Sequence, residues 1–177
     1  VGFEFGMSFP AIQGALNDFG GVQRRFQIKG NIGSTMVVDD YGHHPTEIRA
    51  TLRAAREGWP DRKLMVVFQP HRYTRTRDLL PQFFRCFDDA HTLILTDIYP
   101  AGEKPIPGIT AELIKKGIER EGKCSVIFCP NKDRVIPLLD SLDINQSILI
   151  TLGAGDIRQV GEDYLQHVTR QAALKSE

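Results

Sequence analysis

Three arginines, Arg72, Arg75 and Arg77, fall within six positions of the segment PHRYTRTRD. A guanidinium is a rigid fork of donors that matches a carboxylate or phosphate, and Arg72 and Arg75, three apart on a turn or first helical turn, can point the same way. The chemistry on offer is bidentate capture of a small anion; a solvated basic loop is the plainer alternative. Arg77 and Asp78 read as a local ion pair. His71 lies directly before this group. Upstream, DDYGHHPTE (Asp39 to Glu47) gathers two carboxylates, Tyr41, His43 and His44 beside a helix start. Carboxylates at a strand end suit ribose hydroxyls or a metal, whereas a helix cap with solvated polar groups would need no ligand. His43, His44 and His71 with Asp39 and Asp40 would be a zinc or manganese set. However, adjacent histidines cannot readily turn both rings to one ion, and no HxxxH spacing exists, so no metal site is assigned.

Two further segments have equally open readings. GAGD (Gly153 to Asp156), with Gly161 beyond, resembles a degraded GxGxxG; it follows an apolar run and opens a helix, so a ligand could approach its backbone closely. Its place after the last run argues against a dinucleotide fingerprint, and a bare strand-to-helix turn explains it as well. GGVQRRF puts Arg24 and Arg25 in a linker, where an arginine reaches a phosphate or ribose in a cleft or simply lies on a solvated edge strand. GxxxxGK[ST] does not occur, so any main grip on a triphosphate lies outside these residues.

The elements that must position these groups are legible from periodicity. Residues 8–19 read as a short helix capped by Ser8, with Ile12, Leu16 and Phe19 apolar and Gly20 and Gly21 ending it. Residues 20–34 suggest a linker or edge strand. Five short, continuously apolar runs follow, at 35–40, 64–68, 92–98, 125–129 and 147–152. Between them lie helical stretches: 45–58 (Pro45 at its first turn, Gly58 at its end), 78–87, 110–122, and 131–142, which Pro137 should kink or break. An amphipathic helix from Asp156 closes the chain. Continuous rather than alternating apolarity means strands covered on both faces. The expected fold class is α/β: a Rossmann-like, doubly wound, mostly parallel sheet with helices on both faces. Ligands bind such sheets outside the carboxyl ends of the strands. Four of the five runs end in polar, Gly- and Pro-shaped loops there, DDYGHHPTE, QPHRYTRTRD, DIYPAGEKPIPG and GAGD, while the opposite ends look ordinary.

The chain has 177 residues, 41% hydrophobic and 25% charged, with Lys+Arg 22 against Asp+Glu 22. Disordered, collagen-like and coiled-coil classes do not fit. The balanced charge advertises no nucleic-acid partner, and no apolar run nears the roughly 20 residues that span a bilayer. Cys86, Cys124 and Cys129 lack metal-site spacing and read as buried, reduced thiols of a cytoplasmic protein. The sequence opens in mid-pattern without an initiator Met, as expected of a piece of a longer protein.

DDYGHHPTE, FQPHRYTRTRD, YPAGE and LGAGDI, in this order and spacing, resemble the C-terminal domain of the Mur ligases, and SFPAIQGALNDFGGVQRRF resembles the end of their central ATPase domain. The likeness covers essentially the whole chain. It implies residues 1–30 as central-domain tail and linker and 31–177 as ligase domain. It further implies an ATP-dependent amide ligase of bacterial cytoplasm, using Mg2+ and joining L-alanine to UDP-N-acetylmuramate through an acyl phosphate in peptidoglycan precursor synthesis. This domain would close on the central domain of its own chain and be inactive alone. By the same resemblance Arg25 contacts the nucleotide, Asp40 the ribose hydroxyls, and Arg72 and Arg75 the alanine carboxylate. Tyr41 and His43 line the cleft, with His71, Gly155 and Asp156 on the substrate side. The sibling that recycles tripeptides onto the same sugar nucleotide shares an HHP-type segment, but HRYTRT fits the alanine branch better. A non-catalytic nucleotide-binding module and a metal hydrolase are the readings from other classes.

Overall fold

Runs such as MVV and LMVVF, apolar on both faces, are stable only where both faces are covered. A computed structural model, described over residues 1–18 and 21–174, places them so. Six strands form one sheet: β1 (Gln27–Ile32), β2 (Thr35–Asp40), β3 (Lys63–Phe68), β4 (Thr92–Leu95), β5 (Ser125–Phe128) and β6 (Ser147–Leu152). Their order is β1-β2-β6-β3-β4-β5. β1 pairs antiparallel with β2 at one edge and every other pairing is parallel. The expected doubly wound architecture is therefore present, with 27–32 as the edge strand.

Helices cover both faces. α2 (Pro45–Gly58), α3 (Tyr73–Asp78), α4 (Leu80–Phe83) and α5 (Ala111–Glu121) lie on one side, where Ile48, Leu52, Phe83, Ile114 and Ile118 meet Val66, Phe68 and Leu95. α6 (Val135–Asp140) and α7 (Arg158–Leu174) lie on the other, where Leu139, Val160 and Tyr164 pack on Val37, Met65 and Leu149. Leu52 is fully buried, so Leu52→Ala should cost about 2–5 kcal/mol through lost transfer energy and a cavity. The chain reaches the second face by returning from β5 to insert β6 between β2 and β3. That insertion aligns Asp40 and Phe68 with Leu152, and Phe68 with Leu95. Four carboxyl ends thus stand side by side, and their loops are neighbours.

Several element boundaries differ from the sequence reading. The helix expected over 78–87 begins at Tyr73 as α3, and Pro81 sits at the start of a separate α4. Periodicity missed α3 because its helix-start partner comes from another loop, as described below. The run 92–98 is strand only to Leu95 and 125–129 only to Phe128. The break expected at Pro137 falls earlier: a 3-10 turn, Lys132–Arg134, precedes α6, and Pro137 occupies the first turn, where its missing N–H costs nothing. Residue 30 lies inside β1, so this strand runs across the boundary expected between 30 and 31. α1 (Phe9–Asp18) follows Ser8, whose Oγ accepts from Ala11 N. Phe3, Phe5 and Leu16 are exposed, and Ile12 is half-buried. Phe19 and Gly20, expected in this helix and its end, lie outside the described residues. Cys86, Cys124 and Cys129 are free and buried.

Candidate functional site

At the end of β2 two carboxylates point to opposite sides of the strand, and both are enclosed. Asp39, 3% exposed, accepts from Arg24 Nε at 3.0 Å and Thr151 Oγ1 at 2.8 Å. Asp40, 4% exposed, accepts from Phe26 N and Gly42 N, both at 2.7 Å. Arg24 also donates to Gly153 O at 2.6 Å, which ties the 21–26 segment to the loop after β6. The paired arginines of GGVQRRF thus divide. Arg24 is a structural tie, and Arg25 stays half exposed with its guanidinium 3.9 Å from Glu47 and 6.0 Å from the Tyr41 ring centroid. Arg25, Phe26, Asp40 and Glu47 border a shallow groove of about 370 Å³ whose floor is Ala50 and Ala54 of α2.

The start of α2 orders the next groups. His44 N-caps the helix through Thr46 N, and Glu47 reaches back to the amides of His43 and His44. Partial burial opposes the Glu47 charge, but these two amides and the nearby His43 and Arg25 carry its pKa below the ordinary value. His43 Nδ1 lies 3.0 Å from Tyr41 O. A carbonyl only accepts, so this nitrogen carries a proton. His44 caps rather than faces the cleft, and both Asp39 and Asp40 are engaged. Among the described residues no group of three metal-ligating side chains comes together.

After β3 the chain turns sharply through Gln69, Pro70, His71 and Arg72. Arg72 adopts φ 73°, ψ 140°, a conformation rare outside glycine that costs on the order of 1–3 kcal/mol. Bonds on both sides hold it: its N–H donates to Tyr99 O at 2.8 Å, and its carbonyl accepts from Thr76 N and Oγ1. The Arg72 side chain is exposed, with no hydrogen bond or ion pair among the described residues. Arg75, half-buried one turn on, donates from Nη1 to His71 Nδ1 at 3.0 Å and to His71 O at 3.2 Å. The His71 ring stacks on Tyr99 at 5.6 Å and lies 5.7 Å from His43. Burial and the Arg75, His43 and Arg72 charges lower the His71 pKa to about 4. It is therefore neutral near pH 7, and with Nδ1 accepting, its proton sits on Nε2.

The loop after β6 forms the fourth wall. Gly153, at φ 148°, donates to Asp40 O, and Gly155 packs so closely that a Cβ there would lie 2.5 Å from Gln69 Oε1 and 3.0 Å from the Tyr99 ring. Asp156 is bound by Lys132 Nζ from the segment after β5.

Arg25, Tyr41, His43, His71, Arg72, Arg75, Gly155 and Asp156 therefore all lie at one end of the sheet. Asp40 lies there too, but its carboxylate is inside the wall. Tyr99, Glu103, Glu47 and Gln69 complete the setting and were not singled out by residue type. Their only sequence signal was membership of the strand-end loops.

The protein is thus a doubly wound α/β domain with a cation-and-imidazole cluster at the carboxyl ends of its central strands, where sheets of this class bind their ligands. The chain belongs to the Mur ligase family, whose glutamate ligase domain matches residues 24–155. It is 54% identical over 166 residues to the UDP-N-acetylmuramate–L-alanine ligase of Geotalea daltonii, covering 94% of this chain and 36% of that relative. The chain thus spans about a third of the length of the curated relatives it matches. Among solved structures, the UDP-N-acetylmuramate-alanine ligase of Thermotoga maritima superposes with TM-score 0.76 at 23% identity, covering 96% of this chain and 35% of that one. A murein peptide ligase from Psychrobacter arcticus gives TM-score 0.67 at 19% identity over 94% of this chain and 34% of that one. These two likenesses concern the fold.

Proposed function

We propose that this chain is the amino-acid-binding domain of an ATP-dependent ligase that joins L-alanine to UDP-N-acetylmuramate in bacterial peptidoglycan precursor synthesis, working in the cytoplasm. The observation that carries the reading is the cluster Arg72, Arg75, His71 and His43 at the mouth of the sheet, in a chain 54% identical to a ligase of that name. Arg72 and Arg75 take the alanine carboxylate. Neutral His71 donates Nε2–H beside them, and His43, its Nδ1 held by Tyr41 O, faces the same space. Holding a small zwitterion by its acid leaves the amine free to attack, and orientation of this kind contributes several kcal/mol, within the roughly 7–11 kcal/mol ceiling for good alignment. Gly155 and Asp156 wall the substrate side.

ATP fits the other flank in part. Arg25, Tyr41 and the groove beside Phe26 offer a cation and flat surfaces for a nucleoside, and buried Asp40 could reach ribose hydroxyls only through the lone pairs its two amides leave open. The nucleotide's contribution is to convert the muramate carboxylate into an acyl phosphate. No step is assigned to Mg2+ at these residues, which hold neither a three-ligand cluster among those described nor a phosphate-cradling loop. Residues 1–18, with Phe3, Phe5 and Leu16 exposed, are read as the tail of a central domain against which this domain closes.

The test is product formation by the full-length protein with ATP, Mg2+ and UDP-N-acetylmuramate. L-alanine should be the amino substrate and the recycled tripeptide should not. Preference for the tripeptide would move the assignment to the sibling ligase. Residues 1–177 alone should turn nothing over, and ADP release by them would remove the dependence on a second domain.

A further inference from the structure

The loop YPAGE, residues 99–103, follows β4 and touches His71, the Arg72 peptide and Thr74 from outside. Its backbone is bent by positive φ at Ala101 (49°) and Gly102 (84°), which brings Glu103 over the start of α3. There Glu103 Oε2 accepts from Thr74 N at 3.0 Å and Oε1 from Thr74 Oγ1 at 2.6 Å. The residue at the N-cap position, Arg72, makes no side-chain cap of its own. The first turn of α3 therefore draws its side-chain cap from a residue 29 positions away. The same loop grips the Arg72 peptide through Tyr99 O and stacks Tyr99 on His71. Thr74 lies between Arg72 and Arg75, so whatever holds Thr74 sets the angle at which both guanidinium groups leave the backbone.

We propose that Glu103 is a positioning residue: its carboxylate, bonded to Thr74, braces α3 so that Arg72 and Arg75 face the incoming amino-acid carboxylate as a pair. This rests on the reading of those arginines given above. The bonds to Thr74 form the brace, and the charge of Glu103 adds a weaker pull. A carboxylate at the start of α3 meets N–H groups that have no partner within the helix, and it attracts the unpaired Arg72 guanidinium only at longer range. Glu103 does not touch the substrate; it acts through Thr74 and Arg72.

In the full-length protein, Glu103→Ala should raise the alanine KM by about tenfold or more while the KM values for ATP and UDP-N-acetylmuramate stay within about twofold, the pattern of a lost grip on one substrate. Glu103→Gln keeps an acceptor oxygen and should recover part of the loss. Thr74→Val should behave as Glu103→Ala does, and Thr74→Ser, which keeps the hydroxyl, should restore alanine use. In parallel, hydrogen exchange read by mass spectrometry should show faster exchange of the peptide covering 72–79 in Glu103→Ala and Thr74→Val. An unchanged alanine KM in both variants overturns the proposal, as does an equal rise in all three KM values. If the wild-type protein does not use alanine, the functional reading falls. The brace is then decided by the exchange arm alone, where unaltered protection of 72–79 overturns it.

Discussion

The His43 and His71 rings lie with centroids 5.7 Å apart, and their Nδ1 atoms play opposite parts, that of His43 donating and that of His71 accepting. Arg75 donates to His71 Nδ1, which leaves the His71 proton on Nε2, whereas His43 donates its own Nδ1–H to Tyr41 O.

This pairing predicts the behaviour of His71 in solution. Burial first, then the Arg75 charge, lowers its pKa to about 4 from 6.5. Nitrogen-detected NMR should find it neutral, protonated at Nε2, from pH 5 upward. Because the folded pKa lies below the unfolded one, the unfolded chain binds more protons between these values, and stability should fall as pH drops from about 6.5 toward 4. In Arg75→Gln the His71 midpoint should rise toward 6.5. A wild-type midpoint already near 6.5 would show that neither burial nor Arg75 acts as described.

With Arg72 and Arg75 holding the alanine carboxylate as proposed, removing either should act on one substrate. Arg72→Ala and Arg75→Ala in the full-length protein each delete a charged hydrogen-bond donor worth about 1.5–3 kcal/mol, so kcat/KM for alanine should fall about 10- to 100-fold. KM for the sugar nucleotide should hold. Arg72→Lys should rescue poorly, since an ammonium cannot reproduce the fork. Steady-state kinetics with each substrate varied decides this, and an unaltered alanine dependence takes Arg72 out of the site.

Neighbouring Arg24 and Arg25 should give opposite phenotypes. Arg24→Ala leaves buried Asp39 without its cation, a change that costs about 3–5 kcal/mol in comparable buried pairs. The half-exposed contact of Arg25 with Glu47 falls among surface pairs worth about 0–1 kcal/mol. Urea unfolding should therefore register Arg24→Ala strongly and Arg25→Ala hardly at all, and Arg25→Ala should instead weaken use of ATP. Equal midpoints for the two variants would contradict the division.

Gly155→Ala tests the wall of the site. The added methyl would meet Gln69 Oε1 at 2.5 Å and the Tyr99 ring at 3.0 Å. Overpacking of this kind typically costs about 1–3 kcal/mol. Because Tyr99 stacks on His71, alanine use should suffer beyond what the loss of stability explains. Full alanine kinetics in a destabilised variant would separate the wall from the site.

Much of this protein was legible in its one-dimensional pattern. Continuous apolarity in 35–40, 64–68 and 147–152 specified covered parallel strands, and Pro45 and Gly58 bounded α2, because apolar period and helix ends are set by residues within about four positions of one another. The loops at strand ends also announced themselves by residue type. Tertiary structure alone decided which of them meet and what each charge does. β6 inserts between β2 and β3, which carries GAGD to the side of His71, a choice made by pairing across more than a hundred residues. It also assigned Arg24 to Asp39 and set Arg25 at the groove beside Glu47, sealed Asp40 with two amides, and capped the start of α3 with Glu103. These are long-range electrostatic and hydrogen-bonding choices. Their energies depend on burial and on partners brought together only when the sheet closes, so local sequence carries no trace of them.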